Sequence, residues 1–319
     1  MTQNYVDKEK AAEATLDFAR RINGIESPIK KKPNFTKVTS FGTKYGRKAE
    51  ELVESTEGSV VFGRSVELSQ MPESNIKQRG YTKDIDLFVP NQKQFVQKAT
   101  KKLGRDFKAK VRNSGNYLIE RKDGRDAFDL HNKPKHYMKP TKQDEYVKPE
   151  PTSTKDMLKT GGITSEKLYV QAKRKAVSTL GNYNKKSNSS YDTQSIDYGP
   201  PSNRIKDPYD MIRYGSYFVN VQTKKMRELP PQKRKSVRNN IQKIKSDICV
   251  VKRYFSQPKV YNKYDDGKEY GKKFKAFKCP IHVNENCTVG ISPRPPKRPS
   301  VRKHARKRNV VKDIFGWMT

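Results

Sequence analysis

The chain has 319 residues, of which 69 are lysine or arginine and 34 are aspartate or glutamate, so its formal net charge is +35. Hydrophobic residues make up only 32%, which excludes burial of the whole chain in one large core; we expect one compact domain of about 100 residues, a smaller carboxy-terminal module and long connecting segments. The absence of a long apolar run excludes a transmembrane helix, and the charged amino terminus is unlike a signal peptide. We therefore expect an intracellular protein of the cytoplasm or nucleoid, or a virion component.

The first elements in chain order are helices and a short strand. Residues 1–40 are predicted to hold an amphipathic helix over Val6 to Ile22, followed by a basic, proline-broken linker. Thr43 to Glu54 has the apolar spacing of a second helix, and Ser59 to Phe62 is predicted to be a strand that ends at a glycine turn. Gln92 to Leu103 is predicted to be a further amphipathic helix.

Two acids lie within an apolar run after the glycine turn. Asp84 and Asp86 are two residues apart in the segment Lys83 to Val89. Residues i and i+2 of a strand share a face, so both carboxylates are predicted to face a cleft while the apolar residues between them face the core. Paired carboxylates beside a tight glycine turn indicate a divalent metal site for phosphate chemistry.

A third acid comes from a predicted β-hairpin over Asn116 to His131. Asp123-Gly124 between two alternating apolar runs is typical of a two-residue type I′ turn. The second arm places Asp129 between apolar neighbours, where it is available to join the first two acids. His131 follows on the same face, and a surface imidazole is favoured there over a phosphate contact. Together these elements predict an α+β fold with a small mixed β-sheet and helices on one side.

These motifs resemble the DNA polymerase beta-like nucleotidyltransferase superfamily over residues 41–138. The matching pieces are Phe62-Gly63-Arg64-Ser65, Asp84-Ile85-Asp86 and Asp129. The resemblance implies that Gly63, Arg64 and Ser65 bind a nucleoside triphosphate. It also implies that Asp84, Asp86 and Asp129 form the catalytic metal site for Mg²⁺ or Mn²⁺, with Asp129 helping to activate the attacking hydroxyl.

The chain after residue 138 is predicted to consist of a linker, a basic module and a tail. Residues 139–204 are predicted to form a linker with a short helix at Ser165 to Leu180, capped by Ser165. Residues 205–290 form a basic module in which Pro231 to Phe255 is an amphipathic helix with an apolar stripe against lysine and arginine. Its basic face is either a solvated surface or a phosphate-binding surface, and both roles are compatible.

The cysteines offer a weaker metal hypothesis. Cys279, His282 and Cys287 are spaced by three and five residues, and Cys249 is a distant fourth ligand. A structural zinc site needs four ligands, so buried or incidental cysteines are favoured over zinc. Three cysteines without a secretory signal also argue against a disulfide framework.

The last segment, residues 291–319, is strongly basic. Its prolines favour an extended arm that binds nucleic acid, and a localisation signal or a solubilising tail is the alternative. Phe315 and Trp317 are candidates for contact with a partner protein. The predicted nucleic-acid-binding residues are Arg294, Lys297, Arg298, Arg302, Lys303, Arg306, Lys307 and Arg308.

Two functions remain open from the sequence. The resemblance implies a metal-dependent enzyme that transfers a nucleoside monophosphate from an NTP to a hydroxyl, on nucleic acid. The charge instead favours a non-enzymatic DNA-binding or RNA-binding packaging protein, viral or of a nucleoid, which keeps the fold as a scaffold. In both cases the excess of cations predicts a nucleic-acid partner and no membrane insertion.

Overall fold

A computed structural model describes residues 6–38, 41–72, 84–131, 156–183 and 204–279. They form an α+β structure on one seven-stranded mixed sheet, which confirms the predicted class. The strands are β1 (Val60–Phe62), β2 (Ile85–Phe88), β3 (Phe107–Val111), β4 (Tyr117–Arg121), β5 (Asp126–His131), β6 (Met157–Thr160) and β7 (Ile163–Glu166).

The described residues also contain nine α-helices and a 3-10 turn at Phe35–Lys37. The α-helices are α1 (Lys8–Arg21), α2 (Gly42–Glu54), α3 (Arg64–Gln70), α4 (Gln92–Leu103), α5 (Leu168–Tyr183), α6 (Lys206–Glu228), α7 (Pro231–Phe255), α8 (Pro258–Tyr261) and α9 (Gly267–Ala276).

The strand order is β3-β4-β5-β2-β1-β7-β6, so β2 lies at the centre of the sheet. Strand β1 runs antiparallel to β2, and β5 runs parallel to β2. This register pairs Phe62 with Asp86 and Asp86 with Asp129. Because paired residues of neighbouring strands share a face, these three side chains project from the same side of the sheet.

The opposite side of the sheet packs against α2 and α4. Helix α4 buries Phe95, Ala99 and Leu103, which recur every four residues along one stripe. They join Leu87 and Phe128 of the strands in one hydrophobic core. The apolar residues that alternate with the acids of β2 therefore anchor the sheet and orient the acids away from this core.

A second core lies in the helical half of the protein, built from α1, α5, α6, α7 and α9. Phe18, Tyr183, Phe218 and Phe255 are among its fully buried side chains. Helix α5 belongs to this core and also covers the acid-bearing side of the sheet, where Arg174 lies over the ring of Phe88. Helices thus cover both sides of the sheet, not one side as the sequence predicts.

Most predicted helices have the expected bounds. The helix predicted over Val6 to Ile22 runs from Lys8 to Arg21, and those predicted over Gln92 to Leu103 and Pro231 to Phe255 have those bounds. The start of α4 is capped by Asn91, whose side chain accepts the Gln94 N–H at 3.0 Å.

Three local features differ from expectation. Ser165, predicted to cap a helix, lies in strand β7, and the helix begins at Leu168. The β4–β5 connection is a four-residue loop, residues 122–125, in which Gly124 has a positive φ of 80° and its N–H bonds to the Arg121 carbonyl. Within the linker predicted over residues 139–204, residues 157–166 form the β6–β7 hairpin, and residues 139–155 lie outside the described residues.

None of the described helices combines the length and apolar character that crossing a membrane requires.

Candidate active site

The turn after β1 brings backbone close to an acid. Gly63 has a φ of +68°, which L side chains rarely adopt, and a Cβ at this position would lie 1.9 Å from Asp86 Oδ2. The Gly63 N–H donates to Gln171 Oε1 at 3.0 Å. Glycine is therefore required here both for the backbone conformation and for the approach of the carboxylate.

Three potential ligands converge beside this turn. Asp86, Asp129 and His131 each offer one atom, and these atoms all lie within 4.8 Å of one another. Asp129 Oδ1 and His131 Nε2 are 3.4 Å apart and have no hydrogen-bond partner in the described part of the chain. Asp129 Oδ2 pairs with the Arg112 guanidinium at 3.0 Å. Asp129 is 8% exposed, so the cluster places a buried, incompletely satisfied carboxylate at the edge of a cleft.

The surroundings of Asp86 in this cluster raise its pKa. Burial raises its pKa from the usual 3.8 to about 7, and the charges of Asp84 and Asp129 add to the increase. His131 and Lys175 act in the opposite direction and lower the pKa. A cation between the carboxylates would favour the ionised form, so cation binding and deprotonation of Asp86 are coupled.

The remaining predicted residues of this region occupy different positions. Asp84 precedes the first residue of β2, is partly buried and is outside the group of three converging ligands, although it is close enough to raise the pKa of Asp86. The Ser65 hydroxyl is buried and has no hydrogen-bond partner among the described residues. Arg64 forms an ion pair with Glu67, also on α3.

Helix α5 forms the facing wall of the cleft. Arg174 is fixed by Glu166, which accepts from its Nε at 2.9 Å and from its Nη2 at 2.5 Å. Its guanidinium lies 5.0 Å from the centre of the Phe88 ring and 5.7 Å from that of Phe62. Gln171, one turn earlier, holds the Gly63 turn. This helix thereby positions both the glycine turn and a cation opposite the acids.

Lys175 extends this basic wall. Its ammonium lies 2.5 Å from Asp207 Oδ1 and 3.7 Å from Asp210 Oδ2, both on α6. The cleft between Phe62, Gly63, Asp86 and these α5 residues has a volume of about 210 Å³. It therefore has the Asp86 carboxylate on its sheet side and two cations on its helix side.

A buried network of ion pairs and hydrogen bonds joins α3 to α6 next to the cleft. Glu67 of α3 is 1% exposed and accepts from Arg213 Nη2 at 2.7 Å and from Tyr214 Oη at 2.5 Å, both on α6. Arg64 also pairs with this carboxylate. Because α3 follows Gly63 directly, the network ties the glycine turn to the helical half.

A row of cations continues from the acids along the sheet. Lys108 and Lys110 of β3 both pair with Glu120, at 3.2 and 2.7 Å, and Arg112 follows at the same two-residue spacing. Residues i, i+2 and i+4 of a strand line one face. The pairing of Arg112 with Asp129 shows that this is the face of the acids, so a basic strand borders the cleft.

Other predicted sites fall partly or wholly outside the described residues. The eight cations of the predicted arm, from Arg294 to Arg308, lie outside, as do Phe315, Trp317, His282 and Cys287. Cys249 is buried, and a hydrogen bond with Cys249 lowers the pKa of the Cys279 thiol. The structure therefore brings these two cysteines together, and a four-ligand zinc site is not described.

Gln171, Arg174 and Lys175 were not among the residues predicted for the site. Gly161-Gly162, a typical hairpin pair, was the available indication that the segment before them folds onto the sheet. Comparison of the chain with protein-family models, with curated proteins and with solved structures found no match. The site is therefore interpreted from its own chemistry.

Proposed function

We propose that this chain is a divalent-metal-dependent nucleotidyltransferase that transfers a nucleoside monophosphate from an NTP to a hydroxyl on nucleic acid. The observation that carries the proposal is the convergence of Asp86, Asp129 and His131 beside Gly63, opposite the cations of α5. A cleft with acids on one wall and cations on the other can hold a metal and a polyphosphate together.

The donor set fits a divalent cation. Two carboxylates and one imidazole are ligands that Mn²⁺ accepts readily, and carboxylates alone suit Mg²⁺. The buried Asp129 Oδ1 and His131 Nε2 lack hydrogen bonds within the described residues, which is expected of atoms that ligate an ion. When bound, the metal would stabilise negative charge on the reacting phosphate oxygens.

The residues of α5 fit a role in binding the triphosphate. Arg174 is held rigidly by Glu166 and two aromatic rings, so little conformational entropy is lost when it contacts a phosphate. Lys175 lines the same wall, where its ammonium also pairs with Asp207 and Asp210. The lack of a side chain at Gly63 lets the Asp86 carboxylate lie directly against the backbone of the turn, where a Cβ would be 1.9 Å from Asp86 Oδ2.

The proposed transfer breaks one bond and forms one. The acceptor hydroxyl oxygen bonds to the α-phosphorus as the bond from that phosphorus to the bridging oxygen breaks and pyrophosphate leaves. The hydroxyl proton passes to solvent water, and Asp129 would help to activate the hydroxyl by holding a cation beside it. Arg112 keeps the other oxygen of Asp129 in place.

Nucleic acid is the proposed acceptor because of the charge around the cleft. Lys108, Lys110 and Arg112 form a basic row beside the acids, and the whole chain carries a net charge of +35. Phosphate backbones are the polyanions that such rows bind.

The same charge favours a second candidate, a nucleic-acid-binding or packaging protein without catalysis. In that case duplex binding would be sensitive to salt but indifferent to divalent metal and to the state of Asp86. The convergent ligands favour the enzyme over this candidate, and metal dependence separates the two.

The direct test is transfer of label. The full-length protein is incubated with each α-labelled ribonucleotide or deoxyribonucleotide, Mg²⁺ or Mn²⁺, and an RNA or DNA oligonucleotide. We expect a labelled, extended oligonucleotide, and a loss of at least about 100-fold in Asp86→Asn because that change removes a metal ligand.

The matched control is Asp123→Asn. Asp123 is an exposed acid in the β4–β5 loop that pairs with Arg121 and Arg125, so its neutralisation should leave the rate unchanged. Two results would overturn the proposal: no transfer to RNA, DNA or protein with any nucleotide and either metal, or a wild-type rate in Asp86→Asn.

A further inference from the structure

Helices α6 and α7 form a long hairpin that extends away from the cleft. They are joined at Leu229 and Pro230 and pack against each other. Arg234 closes the connection by donating to the carbonyls of Leu229 at 2.7 Å and Arg227 at 3.3 Å. The connection is therefore a defined tip rather than an open loop.

The tip carries a large excess of positive charge. Between Asp210 and Asp247 the sequence contains ten lysines and arginines and a single acid, Glu228. Six of these cations are exposed near the tip, three on each helix. They are Lys224, Lys225, Arg227, Lys233, Lys235 and Arg238.

These six cations have no acidic partner among the described residues, and they lie close together on the two helices of the tip. The half-exposed Lys102 and Lys273, by contrast, pair with Glu51 at 2.7 Å and with Glu269 at 2.5 Å. Like charges concentrated without counter-charges repel one another, so the tip gains free energy when a polyanion neutralises it. The partner must therefore be strongly anionic.

The chemistry of the surface identifies the kind of polyanion. The apolar side chains Val221, Met226 and Val237 pack against the helical core, and the only large hydrophobic side chain exposed in the described residues is Val111 of β3. A membrane-binding helix needs an exposed apolar face, and single-strand binding uses exposed aromatic rings; the tip offers neither.

A polar groove beside the tip supports this assignment. It lies between α1 and the hairpin, has a volume of about 720 Å³, and is lined mainly by cations and amides. Such groups contact phosphate and sugar oxygens of a duplex without reading its sequence. The lining side chains include Arg21, Gln222, Lys235, Asn239, Asn240 and Lys243.

The helix sets the distance between this surface and the cleft. Asp210 on α6 lies 3.7 Å from the Lys175 ammonium, and Arg227 follows it by 17 positions on the same helix. At about 1.5 Å per residue, the tip is about 26 Å from that end of α6. This corresponds to about eight base pairs at roughly 3.4 Å each.

We propose that the α6–α7 tip is a second nucleic-acid-binding surface, which holds the backbone of a duplex about eight base pairs from the cleft. The distance of eight base pairs rests on the proposed function, because only a duplex that also places its acceptor hydroxyl at the cleft must span both surfaces. Binding at the tip itself requires neither NTP nor metal.

The test measures duplex binding by the full-length protein without NTP or metal. Fluorescent duplexes of 6 to 24 base pairs are titrated by anisotropy at several salt concentrations, with a triple variant Lys224→Gln, Lys225→Gln, Arg227→Gln. We expect the slope of log affinity against log salt to become shallower by about 2 to 3 units, since each phosphate contact contributes about 0.9. In a parallel titration with Mn²⁺, which neutralises the acids at the cleft, wild-type affinity should rise steeply once the duplex exceeds about eight base pairs.

A second triple variant provides the matched control. Lys93, Lys98 and Lys101 are exposed on α4, on the opposite side of the sheet, and their change to glutamine removes the same charge. This variant should change the slope by less than about 1 unit. Equal losses in both variants would overturn the inference, as would unchanged duplex binding with lost binding to phosphatidylserine vesicles.

The same variants separate this inference from the proposed function. If duplex binding depends on the tip but no nucleotide is ever transferred, the proposed function fails and the surface stands. If transfer occurs and tip variants bind and extend long duplexes like wild type, the surface fails and the proposed function stands.

Discussion

At the scale of single residues, Gly63 is a position where any side chain would overlap the Asp86 carboxylate of the proposed site. We expect Gly63→Ala to abolish metal binding and transfer, because its Cβ would overlap Asp86 Oδ2. Gly124→Ala is the matched control, since Gly124 also has a positive φ but a Cβ there would meet no other atom within 4 Å. Both changes cost about 1–2 kcal/mol of backbone strain, measured by urea denaturation. Equal effects on metal binding would contradict the proposed role of Gly63.

We expect His131 to influence which metal ion the cluster binds. If its imidazole ligates the ion, His131→Ala should weaken Mn²⁺ binding by about tenfold to 100-fold and Mg²⁺ binding much less, because imidazole suits transition metals better than Mg²⁺. Titration calorimetry of both ions measures this difference. Equal losses for the two ions would show instead that His131 only orients Asp129.

The raised pKa of Asp86 predicts a pH-dependent response to metal. The folded state keeps the Asp86 proton up to about pH 7, whereas the unfolded state loses it near 3.8, so this group lowers the free energy of unfolding as pH rises between those values. A bound cation removes that penalty. The increase in melting temperature caused by Mn²⁺ should therefore grow from pH 5 to pH 8.

A control separates Asp86 from another buried acid. Burial raises the pKa of Asp247 to about 7, opposed by its pairing with Arg21, so Asp247 adds to the loss of stability with pH. Asp247→Asn should reduce that loss and leave the metal response intact, whereas Asp86→Asn should remove the metal response. A metal response that persists in Asp86→Asn would contradict the assignment.

At the scale of elements, the two hairpins show what local sequence can determine. Gly161 and Gly162 both have positive φ between Thr160 and Ile163, the pattern of a type I′ turn. Asp123-Gly124 carries a similar sequence pattern, yet there the loop has four residues and β4 and β5 change register between Ile119 and Glu120. Strand pairing beyond the turn therefore decided which loop formed.

The helical wall of the cleft could not be predicted in the same way. Asp86 and Asp129 were identifiable because alternation along a strand fixes their face. Gln171, Arg174 and Lys175 reach the site through the packing of α5 against α1 and α6, and no periodicity within residues 168–183 specifies that packing. Local patterns thus predict the acids, and tertiary packing supplies the cations.

The Glu67 network is expected to be the main link between α3 and α6. Glu67→Gln removes the hydrogen-bonded anionic partner of the buried Arg213, which keeps the more distant Asp210 at 3.8 Å, so we expect a loss of about 3–5 kcal/mol in the free energy of unfolding. Glu269→Gln, which breaks an exposed pair with Lys273 within α9, should cost less than about 1 kcal/mol. Urea denaturation compares the two, and similar small losses would show that the network contributes little.

At the scale of the whole molecule, the protein combines a strongly basic exterior with a few converging acids. Asp86 lines the cleft between the sheet and the helical half, where burial raises its pKa, and Asp129 and His131 converge on it. Exposed cations include those of the α6–α7 tip and of the β3 row. If nucleic acid binds this exterior, we expect the acids to repel it at the cleft until a cation neutralises them, which would link acceptor binding there to metal binding.

Deletion of the predicted carboxy-terminal arm tests whether its positive charge serves nucleic-acid binding or the stability of the fold. We expect deletion of residues 293–319 to weaken duplex affinity for all sequences alike and to make the salt slope shallower by about 0.9 per lost phosphate contact. Both hydrophobic cores described above consist of residues before 280, so the melting temperature should not change. A large decrease in melting temperature would show that Phe315 and Trp317 contribute to a core. Combining the deletion with the Lys224, Lys225 and Arg227 variant should add the two slope changes, because independent contacts contribute additively.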